Sequence, residues 1–320
     1  MSREIGDIVR LYRSRPGEQF GLATIVRTQG SSFRLPGARM LMSQDGCTAG
    51  SISGGCLEDE VTGQIQKLFR SEKSALLRFD TRKRFGCHGK IEILIELADP
   101  LFLAQLSAAY AQRKMLRVAT SDTFDVPGWR TRCLSDHEGI EQHALVQVLD
   151  PTVQLIVVGN GPDCLALHQI SAALGWSVRR VDQASEIGES CDAWTAALIK
   201  THNYGRDFAA LRFLLPLALP YVGLLGPRRR REQLLGDLLD TGLGIPQNLF
   251  APAGHDLGGD SPESIALAVI AEIHAVFAGK GGNHLRDLST PIHPDRASSN
   301  APNLDDVGGL ARTPILSASE

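Results

Sequence analysis

The sequence predicts an α/β protein, with an N-terminal α+β domain followed by a Rossmann-like domain built on a parallel sheet. Three observations carry that prediction. The run LIVV, ending at Val158, is wholly apolar, as a central parallel strand is when helices cover both its faces. Gly159 and Gly161 form a turn that opens directly into a helical segment from Pro162 to Leu174. A second strand, WSVRRVD, ends on Asp182, about 20 residues after the turn, where a ribose hydroxyl would sit.

From the N-terminus, Ile5, Ile8, Val9, Leu11 and Tyr12 recur at helical spacing and predict a short helix ended by Pro16 and Gly17. LATIVRT (22–28) and ARMLMS (38–43) read as strands, joined by the loop GSSFRLPG from Gly30 to Gly37. Asp45-Gly46 marks a turn. CTAGSISGGCLEDE follows, and Leu57, Val61, Ile65, Leu68 and Phe69 then mark one face of a helix. Its first turn carries Glu58, Asp59 and Glu60, which suit the positive end of a helix. Cys56 therefore falls at or just before a helix N-terminus, flanked by Gly54 and Gly55. A thiolate is favoured there; a small buried core cysteine is the alternative.

ALLRFD (75–80) and KIEILIEL (90–97) are further strands, the second alternating Ile91, Ile93, Ile95 and Leu97 against Glu92, Leu94 and Glu96. Between them lies Cys87, with Gly86 before it and His88 after it. Either it has a chemical role assisted by the imidazole, or both residues decorate a turn. Residues 101–150 read as a bridging segment holding a helix (FLAQLSAAY) and two strands (MLRVAT, HALVQVLDP), with Cys133, His137 and His143 taken as incidental.

In the second half, TAALIKTH (195–202) is a strand whose tip carries Thr201 and His202, at the sheet edge where open α/β folds bind ligands. YVGLLGPRRRR then gives a strand, a Gly226-Pro227 turn and a helix that starts on Arg228, Arg229, Arg230 and Arg231. Arginines there oppose the helix dipole, which suggests an anion or acidic partner; a solvated surface run is the other reading. The loop AGHDLGG (253–259) leads to a helix capped by Ser261 with Pro262 in its first position. The expected domains are 1–100, the bridge 101–150, the Rossmann-like domain 151–279 and a poorly ordered tail, 280–320.

The chain has 320 residues, and its formal net charge of -3 lacks the strongly basic balance of a general nucleic-acid binder. Six cysteines without a CxxC pair argue against a disulfide scaffold, a zinc knuckle and a thioredoxin-type centre. No apolar stretch long enough to span a bilayer and no signal core is visible, so a cytoplasmic protein without a membrane is expected.

Taken together, the motifs resemble the XdhC/CoxI family, accessory proteins of molybdenum hydroxylases such as xanthine dehydrogenase. The resemblance spans roughly residues 5 to 280. It rests on TQGSSFRLPGARM, on Gly50, Ser51, Ser53, Gly54, Gly55, Cys56 and Glu58 of the motif GSxSGGCxE, and on GCHGKIEILIE. KTHNYGRD, YVGLLGPRRRR and DLGGDSPESIALAVIAEI extend it. Two departures stand out: Pro162 where the family often has His, and Cys87-His88-Gly89 where it commonly reads Cys-Gly-Gly. The resemblance implies transient binding of a molybdopterin-type molybdenum cofactor, support of its sulfuration with a cysteine desulfurase, and delivery to a hydroxylase apoenzyme. It also implies a homodimer without catalytic turnover of its own. Carried over, Cys56 and Cys87 are the candidates for sulfur handling and for reaching the cofactor's molybdenum. Ser31, Ser32, Arg34, Gly54 and Gly55 are candidates for its surroundings. From the residues themselves, Gly159, Gly161, Asp182 and His202 are candidates in the second crevice. The alternatives are an NAD(P)-dependent oxidoreductase using Gly159, Gly161 and Asp182, and a sulfurtransferase carrying persulfide on Cys56 or Cys87.

Overall fold

The computed structural model describes residues 2–30, 32–55, 57–80, 89–121, 130–135, 138, 144–188 and 191–289. The chain divides into two compact units, one built mainly from Ile8–Ala109 and Met115–Leu149, the other mainly from Asp150–Ser289.

The first unit takes most of α1 (Arg3–Ser14), then β1 (Phe20–Gly30), β2 (Arg39–Ser43), β3 (Thr48–Gly50), α2 (Glu58–Ser71), β4 (Ala75–Asp80), β5 (Gly89–Leu97) and α3 (Pro100–Ala111). Its main sheet is antiparallel throughout, in the order β3-β2-β1-β5-β4. Strand side chains alternate between faces. Ala23, Ile25, Met40, Met42, Ile91, Ile93 and Ile95 thus share one face, which meets Val61, Ile65 and Leu68 of α2. Burying each of the larger of these side chains contributes roughly 1.5–3 kcal/mol.

The opposite face of β5 is not a solvated polar face, although the alternation with Glu92 and Glu96 suggested one. Leu94 and Glu96 are buried there. A second antiparallel sheet, β6 (Leu116–Ser121), β7 (Thr131–Leu134) and β8 (Ala144–Leu149), in the order β7-β6-β8, supplies the polar partners of Glu96. The bridging segment of the sequence reading therefore packs within this unit, with β7 as a strand the sequence did not reveal.

The second unit contains β9 (Gln154–Val158), α4 (Asp163–Ala173), β10 (Ser177–Val181), β11 (Thr195–Ile199), α5 (Tyr204–Leu214), β12 (Tyr221–Leu224), α6 (Arg228–Asp240), β13 (Leu249–Phe250) and α7 (Pro262–Phe277). All five strands are parallel, in the order β10-β9-β11-β12-β13. The apolar runs predicted as central strands are buried on both faces. Ile156, Val158, Ala197 and Ile199 pack with Leu211 and Leu214 of α5 and Leu234 and Leu238 of α6. Leu155, Val157, Ala196 and Leu198 pack with Leu167 of α4 and Val269, Ile270 and Ile273 of α7. This is a doubly wound Rossmann-type sheet, and its order reverses between β9 and β11, the switch point where ligands of such sheets bind. Among the described residues no helix is long and apolar enough to cross a membrane.

Candidate functional site

Two glycine turns carry the candidate residues, one in each unit. In the first unit, the turn between β3 and α2 is held by Glu58, the first residue of α2. One of its carboxylate oxygens accepts from the Ser53 amide at 2.8 Å and from the Ser51 hydroxyl at 3.3 Å. The other accepts from the Ser53 hydroxyl and from the Leu57 amide at 3.3 Å. The Ser53 Oγ in turn accepts from the amides of Gly55 and Leu57, both at 3.1 Å. Burial pushes the Glu58 carboxyl up, but the hydrogen bonds from Ser53 and the neighbouring amides outweigh it and hold the group below its ordinary value. The serines and the acid of the motif are therefore a clamp on the loop backbone, a role that spacing did not reveal.

Gly50 opens this turn with φ +82, and a side chain there would overlap the Arg39 carbonyl oxygen. At the apex Gly54 and Gly55 are exposed. The loop preceding β2 lies against them: a Cβ on Gly54 would sit 3.9 Å from the Phe33 ring, and Phe33 is 73% exposed. Ser32 donates its hydroxyl to the Arg34 carbonyl at 2.7 Å, and Arg34 is half-buried. The structure thus joins Ser32 to Arg34 within one loop and sets that loop's Phe33 beside Gly54. Ser31, Cys56 and Cys87 lie outside the described residues, as do His88, His137 and His143.

Behind this loop pair is a buried polar network that the sequence reading missed. The guanidinium of Arg39 donates to the Gly37 carbonyl at 3.1 Å, to Gln147 Oε1 at 2.6 Å and to Thr120 Oγ1 at 3.3 Å. Thr120 and Thr131 share a hydrogen bond of 3.2 Å, and Thr131 donates its hydroxyl to Glu96 at 2.6 Å. Burial pushes Arg39 down to about 10 and the Glu96 carboxyl up, against the charges and hydrogen bonds that oppose each shift. The network fixes the end of the Phe33 loop. Its signals in the sequence were Arg39, the one charge of the short apolar run RMLMS, and Glu96, which reads there as an ordinary outward residue of an alternating strand.

Among the described cysteines, burial pushes the Cys133 thiol up to about 11 and raises Cys191 as well, so neither is an activated nucleophile. No group of three or more metal-ligating side chains occurs among the described residues.

In the second unit, the turn after β9 is filled by the chain itself. Gly159, at φ +113, passes so close to β11 that a Cβ would lie 2.8 Å from the Lys200 carbonyl oxygen. A Cβ on Gly161 would meet Lys200 Nζ at 2.8 Å and Asp163 Oδ1 at 3.0 Å. Lys200, whose side chain is fully buried, pairs with Asp163 and also approaches Cys164 Sγ at 3.6 Å. A dinucleotide's pyrophosphate needs this space and the free amides of the helix start. Here a carboxylate and its ammonium partner occupy the space, and Pro162 at the cap has no N–H to give. The residues present do not fit a dinucleotide pyrophosphate at this turn. The exposed Asp182 carboxylate accepts from Arg180 at 2.9 Å.

Further along the same sheet edge, His202 is exposed and holds a left-handed backbone, φ +55. Asn203 caps α5, accepting from the Arg206 amide at 3.1 Å. The buried Asp207 accepts from the Thr201 amide at 3.1 Å and from its hydroxyl, and pairs with Arg230 at the start of α6.

The family model described as the XdhC Rossmann domain matches residues 155–273, and the model of the XdhC and CoxI family matches residues 14–80. The chain is 27% identical over 310 residues to a probable xanthine dehydrogenase subunit of Bacillus subtilis (strain 168), covering 80% of this chain and 92% of that protein. It is 24% identical over 265 residues to the molybdenum cofactor insertion chaperone PaoD of Escherichia coli (strain K12), covering 80% of this chain and 82% of the relative. A crystal structure of a xanthine dehydrogenase from Bacillus halodurans shares the fold, with a TM-score of 0.74 and 23% identity over 88% of this chain and 97% of that one.

Proposed function

The chain belongs to the XdhC/CoxI family, and from that premise we propose that it is an accessory protein that holds a molybdenum cofactor and passes it to a hydroxylase apoenzyme. The observation that carries this reading is the clamped loop of the first unit. Ser53 and Glu58 fix its backbone, while Gly54, Gly55 and the Phe33 ring stay exposed beside it. Among the described residues the loops offer an aromatic face, a serine hydroxyl and an arginine, which suit a pterin carrying a phosphate; the soft sulfur is assigned to Cys56 and Cys87 from the sequence motifs alone.

In this reading the first unit retains the cofactor and turns nothing over. Ser31, Ser32 and Arg34 hold its phosphate, and Phe33 lies against its ring system. Cys56 and Cys87 are the soft donors toward molybdenum and its sulfur. When bound, the cofactor supplies the molybdenum centre that the recipient enzyme uses. Sulfuration during retention, with a cysteine desulfurase as partner, belongs to the same proposal, as do a homodimeric assembly and a cytoplasmic location. PaoD, by its name, inserts the cofactor, which supports the delivery step.

The test is anaerobic incubation of the full chain with molybdenum cofactor, followed by gel filtration and measurement of retained pterin and molybdenum. Wild-type protein is expected to retain both, and Cys56→Ala and Cys87→Ala to lose most of the molybdenum. Equal retention by the wild type and both cysteine variants would overturn the assignment of the thiols.

A further inference from the structure

We propose that the carboxyl edge of the second unit's sheet binds a phosphate-bearing anion through Arg206, Arg228 and Arg229, next to the closed turn after β9. The argument begins with a local cost. Four consecutive arginines start α6, whose first turn has no acidic residue, so they repel one another and oppose the helix dipole. Only part of that charge is answered internally. Arg230 pairs with Asp207, a side chain with no exposed surface that also takes the Thr201 amide and hydroxyl. That pair ties α5 and α6 to the tip of β11, and the bond from Tyr204 to Asp237 joins the two helices a second time. It also neutralises the Asp207 carboxylate, as Lys200 neutralises Asp163, so neither buried acid is left to repel an anion at this edge.

Arg206, the neighbour of Asp207, donates to the Asp182 carbonyl from the first turn of α5. The Asp182 carboxylate is itself held by Arg180. Arg228 and Arg229 are exposed, and among the described residues neither makes a hydrogen bond or an ion pair. Arg206 and the pair Arg228 and Arg229 therefore stand in the first turns of two helices that the Arg230–Asp207 pair joins, at the edge where a parallel sheet receives its ligands. A phosphate offers paired oxygens to planar guanidinium forks, which lysine could not match. The usual phosphate position at the first glycine turn is filled by Asp163 and Lys200, so the anion lies toward β11 and β12 instead. The ligand class is a phosphate monoester or diphosphate. A nucleotide and a pterin phosphate are its two sources. This site uses no residue of the cysteine loops and goes beyond the cofactor reading above.

The test is isothermal titration of the full chain with inorganic pyrophosphate at fixed ionic strength, against the double variant Arg228→Gln/Arg229→Gln and the single Arg206→Gln. Lys67→Gln/Arg70→Gln, on α2, removes the same charge elsewhere. Wild type and the α2 variant are expected to bind saturably and alike. The α6 double variant should bind about tenfold or more weakly, the loss expected of charge-assisted contacts. Melting curves establish that each variant is folded. No saturable binding, or equal binding by wild type and the α6 variant, would overturn the proposal. AMP, a pterin phosphomonoester and the same pterin without phosphate separate the sources. Preference for AMP or for the phosphorylated pterin each supports the site. Equal affinity for the pterin with and without phosphate overturns it. Cys56→Ala is expected to leave pyrophosphate binding unchanged, so the two readings fail separately.

Discussion

The two glycine turns of this protein share a plan and differ in outcome. Each leads from a strand into a helix, and each helix begins on an acid, Glu58 in one and Asp163 in the other. Glu58 reaches back to Ser53 and braces its loop from within, leaving Gly54 and Gly55 exposed. Asp163 turns inward to Lys200 and fills the space that its glycines create. Glycines make room; the partner of the first helical acid decides whether the room stays open. A ligand site is therefore read from the partner and not from the glycine pattern.

The comparison breaks most visibly at Lys200. Lys200→Met leaves Asp163 buried without its counter-charge, and a loss of about 3–5 kcal/mol is expected in urea melts. Adding Asp163→Leu should recover most of that loss, because an apolar pair of similar volume avoids the desolvation penalty. A single variant no worse than an exposed substitution would refute the closed-turn description.

A smaller effect is expected at Gly50. Alanine there meets both a positive φ and the Arg39 carbonyl, and should cost about 1–3 kcal/mol. Gly55→Ala meets no atom within 4 Å, so its cost should be confined to backbone strain and be the lesser of the two. The reverse order would mean that the exposed apex, and not the turn's entry, sets the loop's shape.

The least expected change is at the clamp. Ser53→Ala removes a hydroxyl that both donates and accepts, for an expected loss of about 0.5–2 kcal/mol. Glu58 is held below its ordinary value in the folded protein. Its contribution is thus full above the ordinary carboxylate range and is lost as pH falls through the folded value. The stability gap between wild type and Glu58→Gln should accordingly narrow from neutral to acid pH. A gap that widened on acidification would show that Glu58 is not the brace.

Much of this architecture was legible in the chain. The apolar runs at 155–158 and 195–199 announced buried parallel strands, and Ser261-Pro262 announced the start of α7. The clamp was half legible: Glu58 was read as an acid suited to a helix start, but its hold on Ser53 was not. Arg39 gave no local sign of its role, and Glu96 read as an outward residue of an alternating strand. Their partners, Gln147 on β8 and Thr131 on β7, are distant in the sequence. The glycine fingerprint at 159–161 leaves open in the sequence whether a dinucleotide fits, because Lys200, about forty residues on, carries no sign of where its ammonium points.

The sequence alone determined the two-part α/β plan, the family motifs and the positions of the turns, since periodicity and glycine placement are local properties. Tertiary structure alone decided which turn is open, which charges are answered, and which arginines are left facing solvent at the sheet edge. Those outcomes depend on pairings between residues far apart in the chain, and a buried charge is tolerable only where folding delivers its partner.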